Sequence, residues 1–187
     1  MIIKWVISLK KSSFESQNLI PIIIGTHIYP MTENALKWLM RLYPPLFFQR
    51  IWVKKVEKGY RAIEVKINRS LFTTNLGNSI FGGTIFSATD PFYALLLGQL
   101  LRQKGYHVTV WLKSAQINYL KPGRSNLYFR IEITDEMIET AEQALQQQGK
   151  FIKAYPIHVF DRDNVLCATA TNEVYIRNLD FVKANDA

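Results

Sequence analysis

The chain has 187 residues, 48% hydrophobic, 13% aromatic and 20% charged, which is enough apolar material for one packed domain and argues against wholesale disorder. Its one cysteine, Cys167, excludes an intramolecular disulfide framework and a cysteine-rich zinc site. The net charge of +8 is uneven: Arg50 to Arg124 holds twelve Lys/Arg against three acids, and Ser125 to Ala187 holds six against ten, which reads either as a phosphate-facing surface or as two solvated faces of opposite sign.

In chain order, residues 1–30 carry two short apolar runs, Ile2 to Ile7 and Leu19 to Ile24, separated by Lys10-Lys11. Neither approaches the roughly 20 apolar residues of a membrane span, and no small-residue cleavage pattern follows the first. The segment is expected to be a disordered extension or an artefact of start-site choice, with a membrane-surface anchor as the alternative; the domain is expected over 31–187.

Thr32 caps a helix over Glu33 to Leu42, which Pro44-Pro45 ends. Phe47 to Val56 and Arg61 to Ile67 read as strands joined at Lys58-Gly59-Tyr60. Asn68 to Ile80 is irregular. Phe81-Gly82-Gly83 then leads into Thr84 to Gln103, apolar nearly all round and therefore buried on all sides. His107 to Leu120 and Leu127 to Ile133 are strands. Thr134 caps a helix over Met137 to Gln147, stopped by Gly149. Phe151 to Asp161 and Val165 to Ile176 close the chain as a hairpin. One buried helix among six mostly hairpin-linked strands predicts an α+β domain in which a curved antiparallel sheet wraps one long helix.

The segment with chemical content runs from Asn75 to Pro91. Glycines at a helix start leave free N–H groups that can hold an oxyanion, aided by the helix dipole. Asp90 is the only acid in the apolar stretch, eight residues or about 12 Å along the axis from Gly82. Within one chain that is too far for both to act on one carbonyl. Two antiparallel helices side by side would bring the glycines of one chain to the aspartate of the other, so the spacing predicts a site shared across a two-fold axis. Asp90-Pro91 has a second reading, a cap followed by proline at a helix start. If the helix starts near Gly83 instead, Pro91 must kink it.

The Asn75-x-x-Asn78-x-x-Phe81-Gly82-Gly83 run, the apolar helix with Asp90, the strand Val110 to Ile117 and the turn Leu120-Lys121-Pro122-Gly123-Arg124 together resemble the hot-dog-fold acyl-CoA thioesterases. The nearest branch is the phenylacetate-pathway-like group, including domain-of-unknown-function members labelled tetrameric acyl-CoA thioesterases. The likeness covers Met31 to Asn178. It implies dimers pairing edge strands, often as dimers of dimers. It makes Gly82 or Gly83 the oxyanion donor, Asp90 the group that activates water or attacks the thioester, and Asn75 a positioning residue. Where the related group often has His before the glycine pair, this chain has Phe81.

Phe81 and Phe86 are candidate substrate-binding residues; Phe86, Phe92 and Tyr93 read either as acyl-pocket lining or as core. Lys113, Lys121 and Arg124 read either as CoA-phosphate contacts or as solvated surface. No serine has a nucleophile-elbow context, and His27, His107 and His158 show no metal spacing. The expected protein is a cytoplasmic homodimer or homotetramer without cofactor, metal, nucleic-acid partner or membrane span, acting on acyl-CoA. A noncatalytic acyl-CoA or lipid-binding protein is the alternative.

Overall fold

A computed structural model describes residues 31–181 of the chain; the expectation for residues 1–30 lies outside the described residues. The first helix, α1 (Glu33–Leu42), starts where Thr32 Oγ1 accepts the Ala35 N–H at 3.2 Å, and buries Leu36 and Met40 one turn apart. The prolines that end α1 also open the next element: α2 (Pro44–Phe48) begins at Pro44, where a missing N–H costs nothing. The strand expected from Phe47 therefore starts only at Ile51. Leu46 of α2 is buried, and Phe47 and Phe48 project outward.

Strand β1 (Ile51–Val56) turns through a short 3₁₀ segment at Lys58–Tyr60 into β2 (Ala62–Ile67), with Gly59 supplying the positive φ of 68° that the reversal needs. The remaining elements are α3 (Gly82–Thr89), α4 (Phe92–Gln103), β3 (Val108–Tyr119), β4 (Leu127–Glu132), α5 (Asp135–Gln148), β5 (Lys150–Asp161) and β6 (Leu166–Asn178). The strands form one antiparallel sheet in the order β1-β2-β4-β5-β6-β3. β4 and β5 pair only at Leu127–Asp161 and Tyr128–Phe160, and α5 packs against β5, β6 and α4.

The core is the concave face of this sheet closed on α4. Phe92, Leu96, Leu97 and Leu101 of α4 are fully buried, as are Ile63, Ile67, Leu127, Val159, Ala168 and Val174 from the strands around it. The long helix expected over Thr84 to Gln103 is present as two pieces, α3 and α4, interrupted at Asp90–Pro91. Asp90 (φ −56°, ψ −61°) and Pro91 (φ −83°, ψ −20°) keep helical dihedrals, so the chain continues in the same sense while Pro91 removes one N–H from the ladder. The kink reading holds over the cap reading: no side chain caps the start of α4.

The uneven charge is partly internal to the fold. Arg61 meets Asp135 at 2.6 Å, Lys104 meets Glu142 at 2.6 Å, and Lys113 meets Glu173 at 3.0 Å. In each pair a base of the middle segment faces an acid of the last.

Candidate active site

The start of α3 is delivered by a tight turn. Asn75 Oδ1 accepts both the N–H and the O–H of Ser79, each at 3.2 Å, and the Asn75 N–H donates to the Ser79 carbonyl at 2.8 Å. Thr74 and Ile80 form an isolated bridge, and Ile80 donates to the Gly123 carbonyl at 2.8 Å. Asn75 is thus engaged within its own loop, and its contribution to the glycine pair is to shape that loop. The Gly123 bond sets the Leu120-to-Arg124 turn, with the exposed Lys121 and Arg124, beside the approach to Phe81.

Helix α3 begins at Gly82. Thr84 and Ile85 both donate to the Phe81 carbonyl, at 3.0 and 3.2 Å. Among the described residues the N–H groups of Gly82 and Gly83 have no acceptor, as expected for the first positions of a helix. The carbonyl of Gly82 accepts the Tyr119 hydroxyl at 2.8 Å. A Cβ on Gly82 would lie 3.0 Å from Tyr119 Cζ, and one on Gly83 would strike the Phe81 ring. Aromatic rings crowd the backbone at both places, so a side chain at Gly83 would need the Phe81 ring to move and one at Gly82 would press on Tyr119. Partial burial raises the pKa of Tyr119, so it is a reliable donor at neutral pH.

Asp90 lies at a different place. It borders a groove of about 300 Å³ between α1, α4 and β3, lined by Met40, Tyr43, Pro91, Leu95, Val110 and Leu112 among others. Its carboxyl reaches solvent, yet the apolar groove wall desolvates it enough to raise its pKa above the usual carboxylate value. Within one chain the glycine amides and Asp90 do not converge. The glycines adjoin Tyr119, at the last residue of β3, whereas the Asp90 groove adjoins Val110 to Leu112, near its start.

The other residues singled out in the sequence lie in different settings. Phe92 is fully buried, and Tyr93 is buried with its hydroxyl donating to the Pro156 carbonyl at 2.9 Å and its ring stacked on Tyr155; both are core. Phe81 and Phe86 are exposed beside the helix start. Lys113 sits at an irregularity in β3, paired with Glu173, so its charge is already offset. Cys167 is buried, and the surrounding apolar core raises its pKa. His107 contacts Asp180, and His158 is exposed. Among the described residues no three metal-binding side chains cluster.

Two supporting residues escaped the sequence reading. Tyr119 is one. The other is Asn172, fully buried on the concave face of β6, whose Nδ2 donates to the Thr89 carbonyl at 2.7 Å. It braces the helix immediately before the Asp90–Pro91 kink, where Thr89 Oγ1 also donates to the Phe86 carbonyl at 2.8 Å. The available signal was parity: Ala168, Ala170, Asn172, Val174 and Ile176 alternate along one face, and an amide in that row must have a hydrogen-bonding purpose.

At the level of fold the chain is similar to a Pseudomonas aeruginosa protein described as a "Probable Thioesterase", with a TM-score of 0.67 and 13% identity, covering 80% of this chain and 97% of that one. It is likewise similar to a thioesterase of Haemophilus influenzae, with a TM-score of 0.60 and 17% identity over 81% and 94% of the two chains. The architecture is the hot-dog fold. In sequence it is 31% identical over 145 residues to a protein of Saccharolobus solfataricus named "Putative esterase SSO1253", spanning 77% of this chain and 85% of that protein. A family model matches residues 32–176 as well, and the chain belongs to that hot-dog-fold family, described as Domain of unknown function (DUF4442).

Proposed function

We propose that this protein is an acyl-CoA thioesterase whose active site is completed by a second copy of the chain. The observation that carries the reading is the position of the two half-sites at opposite ends of β3, an edge strand. If two copies pair β3 antiparallel about its middle, the Tyr119 end of one lies opposite the Val110 end of the other. The free amides of Gly82 and Gly83 then face the partner's Asp90, and a second such site forms by symmetry. The esterase and thioesterase names of the similar proteins support hydrolysis of an acyl bond.

In this reading the glycine amides bind the thioester carbonyl oxygen and hold the negative charge that develops there. The Asp90 carboxylate takes a proton from water as the water oxygen bonds to the carbonyl carbon. Collapse of the tetrahedral intermediate breaks the C–S bond, returns the carbonyl and releases CoA as thiolate, which takes up a proton. The groove beside Asp90 accepts apolar acyl substituents, and Lys121 and Arg124 meet phosphate groups of CoA near the helix start. No cofactor is required for these steps.

The test is release of free thiol from a panel of acyl-CoA esters, with Asp90→Asn beside wild type. The variant is expected to lose at least about 100-fold in kcat. Because Asp90 must be ionised to act and its pKa is raised, wild-type kcat/KM should fall with decreasing pH at values above the ordinary carboxylate range. The groove disfavours the charged form, so Asp90→Asn should not lower Tm at neutral pH. Equal turnover by the two proteins removes Asp90 from the mechanism. One observation favours a noncatalytic acyl-CoA-binding reading: the Phe81 ring lies against Gly83, where it can shield the amides from a carbonyl. Tight binding of CoA esters with no thiol release by wild type would establish that reading.

A further inference from the structure

Among the described residues, Arg50, Lys66, Arg69, Lys121 and Arg124 have no carboxylate within ion-pair distance. Arg50 and Lys66 line, and Arg69 adjoins in sequence, a surface that lies away from the Asp90 groove and whose loop also carries the Asn75–Ser79 turn that delivers the start of α3. It is built from α2, the turn that follows it, and the loop from Asn68 to Ile80. The two segments are tied together: the Arg50 carbonyl accepts the Asn68 N–H and Nδ2, each at 3.0 Å, and the Arg50 guanidinium lies 5.5 Å from the Phe72 ring centre. A groove of about 430 Å³ opens there, lined by Phe47, Arg50, Trp52, Lys66, Asn68 and Ser70. The same two segments carry Phe48, Leu71, Phe72 and Leu76, with 72%, 97%, 76% and 109% of their surfaces exposed. No acid occurs between Glu33 and Glu57, or between Glu64 and Asp90.

We infer that this face docks on an anionic phospholipid bilayer, with Phe48, Leu71, Phe72 and Leu76 entering the headgroup–acyl boundary and Arg50 and Lys66 holding a lipid phosphate in the groove. A scattered exposed leucine is ordinary on a soluble protein. Four large apolar tips bordered by unpaired cations, without an intervening acid, form the composition that binds membrane interfaces by two additive forces. Self-contact of this face across a two-fold axis would set cation against cation; contact with a different face of a second copy is an outcome that light scattering reads. A nucleic acid would use the cations but would gain little from Leu71 and Leu76. No helix among the described residues is long and apolar enough to cross a membrane, so this attachment is peripheral. The inference stands whether or not the chain hydrolyses thioesters.

The experiment is co-sedimentation of the full chain with vesicles of phosphatidylcholine alone and of phosphatidylcholine mixed with phosphatidylglycerol, at low and high salt. Wild type is expected on the mixed vesicles at low salt and largely free at high salt or on phosphatidylcholine alone. The triple variant Leu71→Ser/Phe72→Ser/Leu76→Ser should bind at least about tenfold more weakly. Arg50→Glu/Lys66→Glu should weaken binding comparably, since each cation near an anionic leaflet contributes about fivefold. Circular dichroism checks that the variants are folded. Absence of wild-type binding overturns the inference, as does equal binding by the triple variant, which would assign the attachment to residues 1–30 or to another face. If the triple variant keeps wild-type vesicle binding but changes its mass in light scattering, the face is a subunit contact and the inference falls.

Discussion

The two edges of the sheet are built in opposite ways. β1 is six residues long, carries Lys54 and Lys55, has an irregular register between Val53 and Lys55, and is covered by α1. Arg41 of α1 donates through Nε to the Val53 carbonyl at 2.8 Å, its guanidinium lying within 4.8 Å of the ring centre of Trp38 and 4.4 Å of that of Trp52. Short length, lysines, irregularity and a covering helix are the devices by which sheets refuse another strand. β3 shares one irregularity, between Leu112 and Ser114 at Lys113, but it is twelve residues long, pairs regularly from Ser114 to Tyr119 and has no covering helix along its outer side among the described residues. The contrast teaches that β1 is a covered edge and β3 an open one, and an open edge is what the shared-site proposal requires.

The parity of β3 gives the most disruptive way to break this contrast. Leu120 donates its N–H to the Cys167 carbonyl of the β6 side at 2.8 Å. Alternation along an antiparallel strand then points the N–H groups of Tyr119, Ile117 and Ala115 away from β6, toward the open edge. Ala115→Pro removes one of those outward donors without removing a β3–β6 hydrogen bond. The expected outcome is a monomer by sedimentation, a far-ultraviolet spectrum like that of wild type, and loss of thiol release as complete as in Asp90→Asn. A dimer that persists with full activity would place the subunit contact elsewhere.

A complementation experiment sharpens the same contrast with an intermediate effect. Gly82→Val forces a branched side chain against Tyr119, whose ring would be 3.0 Å from the new Cβ, and should abolish turnover alone. Co-expression of Gly82→Val with Asp90→Asn gives mixed dimers. If amides and carboxylate come from different chains, each mixed dimer has one intact site and one doubly altered site. Random assembly then restores about a quarter of wild-type activity. If both halves belong to one chain, nothing is restored.

Local signals made much of the fold legible. Thr32, Thr134 and Gly149 mark helix ends by chemistry that acts within a few residues, and each works as expected; Gly149 takes φ 69° at the end of α5. The strands were readable from alternation, and the apolar stretch after Gly83 from its lack of a polar face. Pro44-Pro45 misled because proline both ends one helix and opens another, and the aromatic Phe47-Phe48 resembles the start of a strand when burial is unknown. Sheet order was not readable, since it depends on contacts far apart in sequence. The same limit hid Tyr119 and Asn172, whose partners lie 37 and 83 residues away. The glycine pair and Asp90 were visible as types at a spacing; that they sit at opposite ends of β3 is a tertiary fact.

Tyr119 offers the smallest and most specific perturbation, because it joins the open edge to the helix that carries the amides. Tyr119→Phe keeps the ring packed on Gly82 and removes only the donor to its carbonyl. A partly exposed hydrogen bond of this kind contributes about 1 kcal/mol or less, so Tm should fall by no more than about 4 °C. In the proposed mechanism the amides stay aligned with a developing charge, so their loss of support should appear mainly in kcat, by about three- to tenfold, with KM little changed. That split separates the roles: a residue that merely stabilised the fold would lower Tm and leave kcat of the folded protein intact. A loss approaching that of Asp90→Asn would mean that the hydroxyl itself touches the reacting atoms, and the site would have to be redrawn around the end of β3.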